Sequence, residues 1–153
     1  MISILDKEFS ALNQYVTEQN PSQIFILVDE NTHENCLPTL LANLETEIPF
    51  EIIEIEAGED AKTIATATQL WEILAEFKAD RKSLLLNLGG GVITDMGGFV
   101  ASTYKRGIKF LNIPTTLLAM CDASIGGKTG IDHQYLKNIV GTFANSEHIL
   151  VYP

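Results

Sequence analysis

A chain of 153 residues, 46% hydrophobic and 20% charged, can bury one sizeable core and is short for two, so a single domain over 1–153 is expected. The net charge of −10 opposes a nucleic-acid partner, since a phosphate backbone wants a basic face. Two distant cysteines, Cys36 and Cys121, supply neither a disulfide framework nor zinc spacing, the opening MISILDKEFSALNQ has no basic stretch followed by a long apolar run, and no later apolar run reaches membrane length; a soluble cytoplasmic protein without a membrane partner is expected.

From the N-terminus, an amphipathic stretch from Lys7 to Glu18 predicts a helix, and Ile24 to Val28 is an unbroken apolar run of the kind found in buried parallel strands. After the polar segment DENTHEN, Leu37, Leu40, Leu41 and Leu44 repeat at helical spacing, and Pro49 precedes a strand FEIIEI. Lys62 to Phe77 predicts the best helix, with Ile64, Thr68, Trp71, Leu74 and Ala75 on one face. Leu84 to Leu88 reads as a strand broken by Gly89, Gly90 and Gly91, after which a helix resumes. Strands at Ile108 to Ile113 and His148 to Val151 complete the chain. Strands alternating with helices mean an α/β, Rossmann-like, doubly wound and mainly parallel sheet flanked by helices, with ligands beyond the carboxyl ends of the strands. A strand so close to the last residue suggests a domain cut from something longer.

Charge is uneven along the chain. Up to Asp80 there are 16 acidic residues against three lysines, whereas from Arg81 seven basic residues face Asp95, Asp122, Asp132 and Glu147. The basic half either draws a small anionic ligand or is a solvated surface.

Three clusters can do chemistry. The turn Gly89-Gly90-Gly91 before a helix lets backbone N–H groups approach a diphosphate, although it lacks the G-x-G-x-x-G spacing and also suits a tight structural turn. Ala57 to Lys62 places Gly58, Glu59, Asp60 and Lys62 between a strand and a helix, where carboxylates either accept from ribose hydroxyls or complement the helix dipole. Pro114 to Gly130 gathers hydroxyls, Asp122, paired glycines and Lys128; its likeness to a phosphate-binding P-loop fails because Asp122 stands where that motif has glycine.

The ordered motifs GExxK, GGGxxxD, KRG, PTTLLA, D-S-GGK and KN, spanning Gly58 to Asn138, closely resemble those of the 3-dehydroquinate synthases. The resemblance implies that Gly58, Glu59 and Lys62 hold a ribose of NAD, with Gly90, Gly91 and Val92 against its diphosphate and Asp95 close by. It implies that Thr115, Thr116, Leu118, Lys128 and Lys137 line the cofactor site, and that Asp122, Lys128 and Asn138 bind the substrate's hydroxyls and carboxylate. Arg106 would reach a substrate phosphate across a homodimer interface, and Asp29 and Glu30 are candidates for the adenosine ribose.

The activity so implied is that of a carbon–oxygen lyase acting on a small anionic sugar phosphate in aromatic amino acid biosynthesis. Oxidising one hydroxyl of 3-deoxy-D-arabino-heptulosonate 7-phosphate acidifies the neighbouring C–H, phosphate leaves, the hydride returns, and ring opening and aldol closure give 3-dehydroquinate. A divalent metal, zinc or cobalt, would be bound by a glutamate and two histidines in a helical C-terminal domain outside this chain, so the isolated 153 residues are expected not to catalyse. His33, His133 and His148 do not match those ligands, and Asp132 stands where relatives usually have asparagine. The competing readings are another sugar-phosphate cyclase, a glycerol or iron-alcohol dehydrogenase-like domain, and a non-catalytic nucleotide-binding module.

Overall fold

The computed structural model describes residues 2–4, 9–115, 128–133, 136–143 and 148–151, with side chains from 9 to 115. Its main sheet has six strands: β1 (Ile2–Ile4), β2 (Ile24–Asp29), β3 (Phe50–Ile55), β4 (Leu84–Gly89), β5 (Lys109–Pro114) and β8 (His148–Val151). Their order is β1-β8-β5-β4-β2-β3, and every pairing is parallel. Helices α1 (Ser10–Gln19), α2 (Glu30–Asn35), α3 (Leu37–Asn43), α4 (Ile64–Glu76) and α5 (Gly91–Thr103) cover both faces.

Period-two alternation sorts each central strand between two cores. Phe25 and Leu27 of β2 pack with Leu70 and Leu74 of α4 and with Met96, Phe99 and Val100 of α5. Ile24, Ile26 and Val28 pack with Leu12 and Val16 of α1 and Leu37 and Leu40 of α3. Both faces of β2 and β4 are therefore dry, which is why their sequences read as continuous apolar runs. Truncating a fully buried member such as Leu86 to alanine is expected to cost about 2–5 kcal/mol.

The chain passes from β2 to β3 on one side and then crosses through α4 to β4 on the other side of β2. That reversal opens a crevice at the carboxyl ends of β2 and β4, the place where doubly wound sheets bind ligands. Pairing of Asp29 with Ile55, Leu27 with Asn87 and Gly89 with Pro114 sets the ends of four strands in one row beneath it.

The polar segment after β2, for which the sequence offered no element, is helical over Glu30–Asn35: Asp29 caps α2 by accepting from the N–H groups of Asn31 and Thr32, and the Thr32 side chain completes a capping box. Two expectations need correction. The buried face of α4 is Ala67, Leu70 and Leu74, whereas Thr68 and Ala75 are exposed and Ile64 is 43% exposed. Trp71 lies at the edge of that face, donating from its indole N–H to Thr103 Oγ1 and tilted against Phe99. The strand-helix alternation is also interrupted by an antiparallel hairpin, β6 (Lys128–His133) with β7 (Leu136–Phe143), whose first strand packs along α5.

Candidate functional site

The glycine turn and the acidic segment after β3 meet at the crevice. α5 starts at Gly91 with Gly90 as its N-cap, and no side chain caps it among the described residues. The first intrahelical bond, Thr94 N–H to Gly90 O at 3.0 Å, leaves the preceding N–H groups directed at the crevice with the positive end of the helix dipole. A Cβ on Gly91 would meet nothing within 4 Å, so open space lies in front of it. Gly89 behaves differently: a Cβ there would come 2.6 Å from Ile93 Cγ1, so its bare Cα lets the first turn of α5 close over the end of β4. Thr115 N–H donates to Gly89 O at 3.0 Å, tying the end of β5 to the same turn.

Gly58, at φ +101°, turns the chain after β3 into a 3-10 turn, Glu59–Ala61. Lys62 follows, 3% exposed, with its ammonium 2.9 Å from Asp95 Oδ2 in the second turn of α5 and 3.8 Å from Glu59 Oε1. Two carboxylates, 37% and 45% exposed, are thus fixed at the mouth by one buried cation, a pair of acceptors suited to vicinal hydroxyls. On the β2 side, Glu30 Oε1 accepts from the Ala57 N–H at 3.1 Å and holds the β3 loop against the start of α2. Half-buried Asp29 spends one oxygen on its cap.

Gly58, Glu59, Lys62, Gly90, Gly91, Val92, Asp95 and Thr115 therefore all belong to the carboxyl edge of the sheet, where Asp29 and Glu30 join them. Arg106 does not. It is exposed and follows α5, whose 13 residues carry the chain about 20 Å back to the amino edge. Lys105 and Arg106 both adopt left-handed backbone, φ 47° and 68°, ahead of Gly107 at φ 117°. Within one chain Arg106 is remote from the glycine turn.

Lys128 opens β6 opposite Phe143, whereas Lys137 and Asn138 stand near the turn of the hairpin. Asn138 stands five steps along β7 from Phe143, about 17 Å, so Lys128 and Asn138 are set at different ends of the hairpin. Thr116, Leu118, Asp122 and Cys121 lie outside the described residues. Cys36 is a half-buried free thiol whose pKa is pushed up by burial and by nearby Asp29. Among the described residues no set of three or more His, Cys, Asp or Glu side chains converges as a metal site, and no helix is long and apolar enough to cross a membrane.

Two further polar residues, Asn87 and Asn112, interrupt the buried strands β4 and β5 at paired positions and were not among the expected site residues. Their signal in the sequence is an asparagine inside each of two otherwise apolar runs, LLLNL and FLNIP.

Residues 52–153 match the family described as 3-dehydroquinate synthase N-terminal. A 3-dehydroquinate synthase of Parabacteroides distasonis is 47% identical over 134 residues, 88% of this chain and 38% of that protein. One of Pyrococcus abyssi is 45% identical over 151 residues, 99% of this chain and 45% of that protein. Among solved structures, 2-epi-5-epi-valiolone synthase from Streptomyces hygroscopicus, with NAD+ and Zn2+ bound, superposes with a TM-score of 0.85 at 31% identity, covering 100% of this chain and 42% of that one. A 2-deoxy-scyllo-inosose synthase superposes at 0.89 with 23% identity, covering 98% of this chain and 42% of its own, a likeness of fold. The chain spans less than half the length of these relatives.

Proposed function

Because the chain belongs to the family of 3-dehydroquinate synthase N-terminal domains, we propose that it is the NAD-binding part of a 3-dehydroquinate synthase, the enzyme that turns 3-deoxy-D-arabino-heptulosonate 7-phosphate into 3-dehydroquinate and phosphate. The observation that carries this reading is the open, uncapped start of α5 at Gly90-Gly91, flanked by the Lys62–Asp95 pair at the switch point of the sheet. NAD, when bound, supplies an acceptor for the substrate's hydride and its later return.

The residues fit that group in distinct roles. The N–H groups at Gly91 and Val92 meet the diphosphate, Asp95 and Glu59 accept from ribose hydroxyls, and Lys62 holds both carboxylates in place. Asp29, at the carboxyl end of the strand next to the glycine-turn strand, occupies the position where dinucleotide folds place an acidic residue for the adenosine ribose. The α2 cap takes one oxygen of Asp29, and the other is assigned to the ribose. Thr115, Thr116, Leu118 and Lys137 complete the cofactor wall, while Asp122, Lys128 and Asn138 bind the substrate. Arg106, remote in its own chain, neutralises the phosphate of a substrate held by a second copy.

The described residues present no ligand set for the zinc or cobalt that the family resemblance implies. On that resemblance the ligands belong to the portion of the relatives that these 153 residues do not span, and the 153 residues by themselves bind NAD without turning over substrate. Calorimetric titration of this chain with NAD, with the melting temperature followed in parallel, tests the reading. A saturable heat and a rise in melting temperature with NAD are expected. Neither at millimolar NAD removes the cofactor assignment.

A further inference from the structure

Asn87 is fully enclosed, and its two polar ends are treated unequally. Its Nδ2 donates to Asn112 Oδ1 at 3.0 Å across the β4–β5 ladder, whereas Oδ1 has no hydrogen-bond partner among the described residues. That oxygen faces the backbone of Gly97 in the middle of α5. A Cβ on Gly97 would stand 1.9 Å from Oδ1, 2.3 Å from the amide carbon and 2.7 Å from Nδ2. The amide cannot swing aside to admit it, because it is 0% exposed and rotation would break its bond to Asn112.

Glycine is a poor choice inside a helix, and the Asn87 amide supplies the reason for it at position 97. A helix is stiff over six residues, so the height at which Gly97 rests on Asn87 also sets the height of Gly91 and Val92 at the mouth. We propose that Asn87 is a positioning residue for the dinucleotide: anchored by Asn112 and received by Gly97, it seats α5 so that its first turn lies at the level where a diphosphate meets the N–H groups. This rests on the reading that NAD binds at that turn. Asn87 touches no ligand itself; it acts through the helix.

The test is a pair of variants measured for NAD affinity by calorimetry and for melting temperature without ligand. Gly97→Ala is expected to lift α5 and weaken NAD binding by about tenfold or more, in line with the sensitivity of bound geometry to ångström shifts. Adding Asn87→Ala to it frees the space the new methyl needs. The double variant is expected to recover NAD affinity to within about threefold of wild type and to regain much of the lost melting temperature, a non-additive rescue that general weakening would not give.

A double variant that binds NAD as weakly as Gly97→Ala alone overturns the seat, as does a folded Gly97→Ala that binds like wild type. Should Gly97→Ala fail to fold, the double variant decides alone: folded and NAD-binding supports the seat, unfolded overturns it. A wild-type chain that binds no NAD removes the cofactor reading and the ligand named here. The unliganded melting temperatures then still report whether residues 87 and 97 are coupled.

Discussion

Breaking the Lys62–Asp95 pair from its two ends should give unequal losses. Lys62→Met removes a buried ammonium and leaves Asp95 and Glu59, 37% and 45% exposed, where water can solvate both. One charge-assisted hydrogen bond goes, roughly 1.5–3 kcal/mol, offset in part by the apolar side chain that fills the same space. A net cost of about 1–2 kcal/mol is expected. Asp95→Asn keeps volume and one acceptor but leaves an ammonium that is 4% exposed with Glu59 at 3.8 Å as its nearest described carboxylate. Removing one partner of a buried ion pair costs about 3–5 kcal/mol, and the remaining Glu59 contact with the half-open setting of the pair reduces that to about 2–4 kcal/mol. Urea unfolding followed by fluorescence of Trp71, the single tryptophan, gives both values in one assay. Lys62→Met costing more than Asp95→Asn, or both lying within about 0.5 kcal/mol of wild type, would refute the view that a buried cation organises the mouth.

The two ends of the glycine turn should separate stability from binding. Gly89→Ala, whose methyl would overlap Ile93, is expected to lose about 1–3 kcal/mol in the same assay, whereas Gly91→Ala keeps stability and loses at least about tenfold in NAD affinity by calorimetry. Asp80, at the amino edge of the sheet, has its pKa lowered chiefly by the Ser22 hydroxyl and also by the Lys82 N–H and the Ser83 hydroxyl. Its contribution is present above the unfolded value near about 4 and lost as pH falls through the lower folded value. The melting-temperature advantage of wild type over Asp80→Asn should therefore shrink between about pH 6 and pH 3; an advantage that does not change would contradict the assignment. Arg106→Ala should leave NAD affinity unaltered while raising KM for the phosphorylated substrate in the protein at the full length of its relatives. Mixing its protomers with those of Lys128→Ala should restore part of the activity; no restoration would place Arg106 outside the partner's site.

The parallel strands and the glycine turn were legible because burial on both faces forces unbroken apolar runs, and a turn that must admit a ligand needs bare backbone. Sequence reading failed where a pattern had two equally periodic solutions or too few residues. On α4, the stripe through Ile64, Thr68 and Ala75 has helical spacing as good as that of Ala67, Leu70 and Leu74. Close packing on α5 and the sheet selects the latter, and Trp71 is left to the rim. DENTHEN has no apolar stripe, and its helix rests on the Asp29 capping box. The three-residue β1 is too short to show alternation, and in the hairpin glycines Gly130 and Gly141 face each other and blur the strand signal. The burial of Lys62 was also illegible, since an i,i+3 pairing with Glu59 describes a solvated surface equally well; only the fold brings in Asp95. The Asn87–Asn112 bond likewise depends on a register that one sequence does not announce.

Turnover tests the account most directly. The protein carrying this chain at the full length of its relatives, given NAD, zinc and 3-deoxy-D-arabino-heptulosonate 7-phosphate, should release phosphate while NADH does not accumulate, because each hydride removed is returned. Absence of phosphate, with NADH accumulating from a simple polyol, would contradict it and make the chain part of a dehydrogenase.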